Sequence, residues 1–136
     1  MVVLKSGLVK VTAMSPGKCP VVETQRDFDL TAYVSKPWYV QQQMITKYLP
    51  ESWNYCVVAK YEFMDKDSFW GYSIQVRNLA REEDGTVHDS GSLLRAYSAN
   101  KYDPAKLAVA PSFVPRAFAG DYWVLAYNED EGYALV

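Results

Sequence analysis

Apolar and polar residues alternate along most of this chain with the two-residue period of an extended strand. Val57, Ala59, Tyr61 and Phe63 share one face, and Cys56, Val58, Lys60 and Glu62 share the other. The stretch from Phe69 to Asn78 alternates next, with Ile74 and Val76 set against Gln75 and Arg77. Glu82–Glu83–Asp84–Gly85 reads as a hairpin turn, because Asp-Gly tolerates the positive φ that tight hairpins require. A strand over Thr86 to Tyr97 follows, with a bulge expected at Gly91. Lys106 to Ala110 is a short strand closed by Pro111, and Asp121 to Tyr127 is a longer one. Asn128 to Gly132 makes a turn, after which Tyr133 to Val136 begins another strand. Trp38 to Met44 reads as the first strand of the set. Helical pattern is confined to Asp29–Val34, one turn with Asp29 as its N-cap.

Short strands joined by turns point to an all-β sandwich or an up-and-down barrel. Most connections read as hairpins, which favours an antiparallel meander. Closing a meander into a barrel removes its two exposed edges. An eight-stranded barrel encloses room for one small ligand, and only seven strands are read here. The sequence stops at Leu135–Val136 inside an apolar run, which reads as a domain cut before its last strand. The expected organisation is an N-terminal arm over 1–18 and a barrel domain over 19–136. Lys5, Lys10 and Lys18, interleaved with Val2, Val3, Leu4, Leu8 and Val9, suit an arm that orders on a partner. A free, unstructured terminus is the alternative.

Composition narrows the function. The 136 residues suffice for one domain, and 49% apolar with 22% charged residues is globular composition. A net charge of −2 leaves no basic footprint for nucleic acid. No uncharged apolar run approaches the roughly 20 residues of a membrane helix, which argues against an integral membrane protein. A single His excludes a His-rich metal site, and no metal is expected. Cys19 and Cys56 form neither CxxC nor a zinc set. They read either as free thiols or as disulfide partners in an oxidising compartment. Residues 1–18 lack the apolar core of a secretory signal, because Lys5 and Lys10 interrupt it.

Several segments together resemble the lipocalin family. Cys19–Pro20, Asp27–Phe28–Asp29–Leu30–Thr31–Ala32–Tyr33 and Trp38–Tyr39 look like its opening. Asn54 to Tyr61 is similar to its second strand, and Ser73 to Asn78 with Gly85 to its third strand and hairpin. Asp121 to Tyr127 and Tyr133 to Val136 resemble its sixth strand and the start of its seventh. The likeness is closest to the group containing apolipoprotein D and the bacterial lipocalins. The Trp38–Gln43 form of strand one resembles algal lipocalin-like proteins. There are departures. Ser35–Lys36–Pro37 stands where the family has Gly-x before its Trp, and the Asn128–Tyr133 turn is longer than the family's. The family's Arg beyond the last strand has no counterpart here. The resemblance implies a barrel lacking its last strand and C-terminal helix in this sequence. It also implies that Cys19 and Cys56 each pair with a Cys beyond Val136 and not with each other. The alternation places Cys56 on the outer face, which suits such a bond.

The resemblance further implies non-covalent carriage of a small hydrophobic ligand such as a fatty acid, lipid, sterol, retinoid or carotenoid. Apolar burial would drive binding, with Tyr hydroxyls setting orientation. No cofactor is required, although a bound lipid or carotenoid is allowed. Expected cavity residues are Val57, Ala59, Tyr61, Phe63, Ile74, Val76, Leu107 and Val109. On the sixth strand both faces are apolar; Trp123 and Leu125 are assigned inward, with Tyr122 and Val124 competing. Ordinary core packing is the alternative at each position. Trp38 is expected to pack across the barrel floor. Tyr48, Leu49 and Trp53 of the Lys47–Trp53 loop are expected at the open end, as a lid or docking patch. A second function class is an assembly subunit docked on a larger complex, such as a plastid pigment–protein complex, through the arm or that loop. A third is an enzyme like the plastid de-epoxidases, which needs acid–base groups in an apolar cavity. Asp65, Asp67, Glu82, Glu83 and Asp84 read as solvated turn residues, and His88 as a surface residue without a Ser or Cys partner. No catalytic constellation emerges. The cysteines imply a non-cytosolic compartment: secreted, periplasmic or an organelle lumen such as that of the thylakoid.

Overall fold

The structure is a computed structural model that describes residues 20–47 and 49–136. Cys19, the arm over 1–18 and Tyr48 therefore lie outside the described residues. The chain forms a strongly curled antiparallel sheet, a half-barrel of the lipocalin type. A five-residue helix α1 (Leu30–Val34) precedes the strands. Asp29 caps it, its carboxylate accepting from the Ala32 N–H at 2.9 Å. The strands are β1 (Trp38–Val40), β2 (Cys56–Phe63), β3 (Ile74–Arg81), β4 (Val87–Asp89), β5 (Leu94–Ser98), β6 (Lys106–Pro111), β7 (Gly120–Trp123), β8 (Ala126–Asn128) and β9 (Tyr133–Leu135). Hydrogen bonds link them in the order β1-β2-β3-β5-β6-β7, with β4 also on β3 and β8 paired to β9. The pairings are antiparallel and follow chain order as in the expected meander, except that β4 and β5 both pair with β3 and that β7 is not paired to β8.

Several strand boundaries differ from expectation for identifiable reasons. The first strand ends at Val40 and not at Met44, because Gln41–Gln42–Gln43 offers no apolar position to turn inward. The third begins at Ile74 and not at Phe69. Gly71, at φ +81, closes a turn in which its N–H donates to the Ser68 carbonyl at 2.8 Å. The expected strand over Thr86–Tyr97 is broken around Gly91 (φ +56) into β4 and β5, both antiparallel to β3. The sixth strand divides into β7 and β8. Between them Val124 donates to the Ala105 carbonyl and Leu125 to the Leu135 carbonyl, so the chain changes partners there.

The register sorts side chains by polarity. Opposed residues share a face, so Val57 lies beside Ala80, Tyr61 beside Val76, Ile74 beside Ala96, and Leu107 beside Tyr122. This inner face carries the core: Ile74, Val76, Ala96 and Leu107 are buried, with Tyr61, Leu94, Val109 and Tyr122 packed on them. Every Lys, Arg, Asp and Glu of β2, β3, β5, β6 and β7 occupies the alternate, outer face. Part of that outer face is also covered. Segment 112–119 crosses it, where the Tyr72 hydroxyl donates to the Val114 carbonyl at 2.8 Å and Arg116 sits 5.3 Å from the Tyr97 ring.

Ile74 is fully buried, whereas Phe69 in the preceding turn is 91% exposed. Ile74→Ala should therefore cost about 2–5 kcal/mol in urea unfolding, and Phe69→Ala less than about 0.5 kcal/mol.

Candidate functional site

The concave face is sealed at one end by aromatic rings. Tyr33, on α1, is 2% exposed and stacks on Trp38 at 4.9 Å between centroids. Phe28 and Tyr127 meet the Tyr33 ring at 5.3 and 5.7 Å. The Trp38 indole N–H donates to the Tyr33 carbonyl at 3.0 Å, so the indole is held by both stacking and a hydrogen bond. Trp38 thus packs in the floor of the half-barrel although no Gly precedes it at the family's position.

Deeper on the concave face lies a cluster of three phenols, Tyr33, Tyr61 and Tyr122, each hydroxyl within hydrogen-bonding reach of the other two. The Tyr33 and Tyr122 hydroxyls are 2.8 Å apart, and those of Tyr122 and Tyr61 2.6 Å. Burial pushes Tyr33 and Tyr61 well above the ordinary tyrosine range and raises Tyr122 too, because the apolar surroundings cannot solvate a phenolate. They are neutral hydroxyls throughout the physiological range. The Tyr127 hydroxyl is buried without a hydrogen-bond partner among the described residues.

The expected lining residues divide. Val57, Ala59, Tyr61, Ile74, Val76, Leu107 and Val109 lie on the concave face. Phe63 shares the register but is 45% exposed. Strand β1 pairs with β2 only as far as Ala59, opposite Trp38, so no strand among the described residues flanks Phe63 on that side of the sheet. The inward assignment of Trp123 and Leu125 is corrected to Tyr122 and Val124. Tyr122 opposes Leu107 and joins the phenol cluster, and Val124 is fully buried. Trp123 opposes Lys106 on the other face, with the ammonium 5.0 Å from its ring. Two apolar faces gave alternation no basis for choosing, whereas the Tyr122 hydroxyl had partners waiting inside.

At the opposite end, the Glu51–Trp53 3₁₀ turn carries Trp53 onto His88. Their rings stack at 3.8 Å with planes 14° apart. His88 opposes Ala80 and therefore faces the concavity; its Nε2 lies 2.6 Å from the Glu82 carboxylate. The reading of His88 as a surface residue and of Glu82 as a solvated turn residue is corrected accordingly: both are half-buried at the mouth. Sequence alternation could have placed His88 inward had the β3–β4 register been known. Leu49 is half-buried in the same connection, in a turn closed with Thr46. An open depression of about 640 Å³ on this rim is lined by Glu51, Asn54, Tyr55, Glu82, Glu83 and Asp84. Asp65 and Asp67 are exposed on the opposite turn. Among the described residues no group of His, Cys, Asp and Glu could hold a metal, and no helix is long and apolar enough to cross a membrane. Cys56 is an exposed free thiol on the outer face.

Comparison with known proteins decides the family. The chain is 33% identical to mouse apolipoprotein D over 120 residues, which is 88% of this chain and 56% of that protein. It is 34% identical to the bovine protein over 131 residues, covering 96% of this chain and 61% of that one. Guinea pig apolipoprotein D matches at 33% over 120 residues. The chain belongs to the lipocalin family. It spans 56–61% of the length of these relatives, and no family model matches it.

The buried phenols should be visible in alkaline titration. Burial holds the ionisation of Tyr33, Tyr61 and Tyr122 above the ordinary tyrosine value of 10.0. Their folded values lie above the unfolded one. The stability they contribute is therefore full below pH 10 and is lost as pH rises beyond it. Ultraviolet tyrosinate absorbance should rise in two steps, the second coinciding with loss of near-ultraviolet circular dichroism. Tyr127→Phe removes an unpaired buried hydroxyl and should stabilise the protein by about 1 kcal/mol in urea unfolding. Tyr122→Phe, which breaks two hydroxyl contacts, should destabilise it by a similar or larger amount.

Proposed function

We propose that this chain carries a small hydrophobic molecule non-covalently on the concave face of its half-barrel. The observation that supports the reading is the sorting of charge. The inward positions of β2, β3, β5, β6 and β7 are aliphatic, aromatic or small neutral residues, the charged positions of these strands all face out, and the inward imidazole of His88 on β4 lies at the rim. Such a face gains roughly 25 cal/mol for each Å² of ligand apolar surface it removes from water, with no charge pair needed. Val57, Ala59, Tyr61, Val76, Leu107 and Val109 supply the lining in this proposal, with Tyr122 in place of Trp123. The Trp53–His88 stack forms the rim. Similarity to apolipoprotein D over most of this chain agrees with carriage and not catalysis. His88 and Glu82 pair with each other at the rim, and no nucleophile contacts them among the described interactions. Work in a non-cytosolic compartment is part of the same proposal, resting on the family resemblance.

Native mass spectrometry of protein isolated from its source, followed by organic extraction, tests the reading. One apolar molecule per chain is the supporting result. A bare chain that also fails to take up any apolar dye overturns it. Val57→Asp places a carboxylate on the concave face and should weaken dye uptake at least tenfold, because a buried unpaired charge is strongly penalised. Lys60→Ala, on the outer face, should leave uptake unchanged. Thermal melting of both variants checks that the fold survives.

A further inference from the structure

The mouth of the concavity is crossed by an indole that rests on a fixed support. His88 stands opposite Ala80, and Ala80 opposite Val57, so these side chains form the last inward-facing row before the β3–β4 turn. The imidazole belongs to a closed hairpin. The Glu82 N–H donates to the Thr86 carbonyl at 2.9 Å, and the Glu82 carboxylate lies 2.6 Å from the His88 Nε2. Trp53 reaches this ring from the connection between β1 and β2, and the backbone that carries it is also held. Its N–H donates to the Pro50 carbonyl at 3.0 Å, while Asn54 donates to the Glu51 carbonyl at 3.1 Å and bridges to Arg81. The described contact of the half-buried indole is its face-to-face stack on His88, 3.8 Å between centroids with planes 14° apart. One such stack is weak enough for a side-chain rotation to break it while the backbone on both sides stays in place.

We propose that the Trp53 indole is a gate. Stacked on His88, it closes the mouth over the Val57–Ala80–His88 row; swung off the imidazole, it opens the concave face to an apolar ligand. Glu82 is a positioning residue that acts through His88, because its carboxylate fixes the ring on which the indole lies. The inference rests on the ligand-carrying function proposed above and adds how the ligand enters and leaves. A gate differs from a lining residue in its kinetic effect. Removing a lining contact weakens the bound state, so release quickens and affinity falls. A gate that closes on free and occupied protein alike slows entry and release by the same factor and leaves affinity unaltered.

The test is stopped-flow mixing of the protein with Nile red, a neutral solvatochromic dye. Trp53→Ala should raise the association and dissociation rates together by roughly two- to tenfold, the loss of one aromatic stack, and change the dissociation constant by less than about twofold. Trp53→Phe keeps a ring that can stack and should return both rates toward the native values. Glu82→Ala should raise both rates in the same direction and by less. A rise confined to dissociation makes Trp53 an ordinary lining residue and overturns the gate, as do unchanged rates; carriage stands in either case. Nile red that fails to bind the native protein overturns carriage, and the gate with it. Glu82→Ala leaves the indole in the chain, so it decides the matter even if Trp53→Ala does not fold.

Discussion

A curled sheet that does not close needs something to hold its two sides in their relative positions, and here that task falls on Tyr33. Its ring stacks on Trp38 in β1, one edge of the sheet, while its hydroxyl bonds Tyr122 in β7, at the other end of the strand order. Tyr127 of the β8–β9 hairpin packs against the same ring. The N-terminal segment strengthens this connection, because Gln25 donates its N–H to the Val124 carbonyl and accepts from the Tyr127 N–H through its side chain. One short helix turn, capped by Asp29, positions the residue that spans the concavity. The curvature and therefore the existence of a concave face depend on this cluster of rings.

What could be read from the sequence follows from what is local. The alternation of β2, the Asp29 cap and the Asp84–Gly85 turn involve residues close together in the chain, and each is found where the pattern puts it. Residues 57, 59, 61, 74, 76, 107 and 109 face inward for the same reason: a period of two fixes a face once one neighbour is known to be buried. The misplacements have a non-local cause. Trp123 against Tyr122 could not be decided by alternation, since both faces of that strand are apolar. The decision comes from the partners supplied by Tyr33 and Tyr61, 89 and 61 residues away in sequence. The burial of Ala108 and Ala110 on the outer face was equally hidden, because it comes with the return of segment 112–119 across β5 and β6.

The two ends of the concavity differ in chemistry, and the difference gives a ligand a direction. The floor is aromatic and nearly sealed, with hydroxyls bonded to one another. The rim is polar: an imidazole held by a carboxylate and covered by an indole. A wholly apolar ligand would be content at either depth. A molecule with one polar atom would not, since the rim has water to satisfy that atom whereas the hydroxyls of the floor are bonded to one another. A polar atom keeps its hydrogen bonds at the rim and loses them at the floor.

That contrast bears on why the interior keeps hydroxyls at all. Three phenylalanines would give the same ring packing without any polar group to satisfy, and replacing a buried polar pair by apolar groups is often neutral or stabilising. Stability alone therefore does not account for Tyr33, Tyr61 and Tyr122. A cluster of hydroxyls has a property that phenylalanine cannot supply: it ties distant strands by directional bonds. Those bonds join α1, β2 and β7 across the concave face and so help to hold the curvature of the sheet.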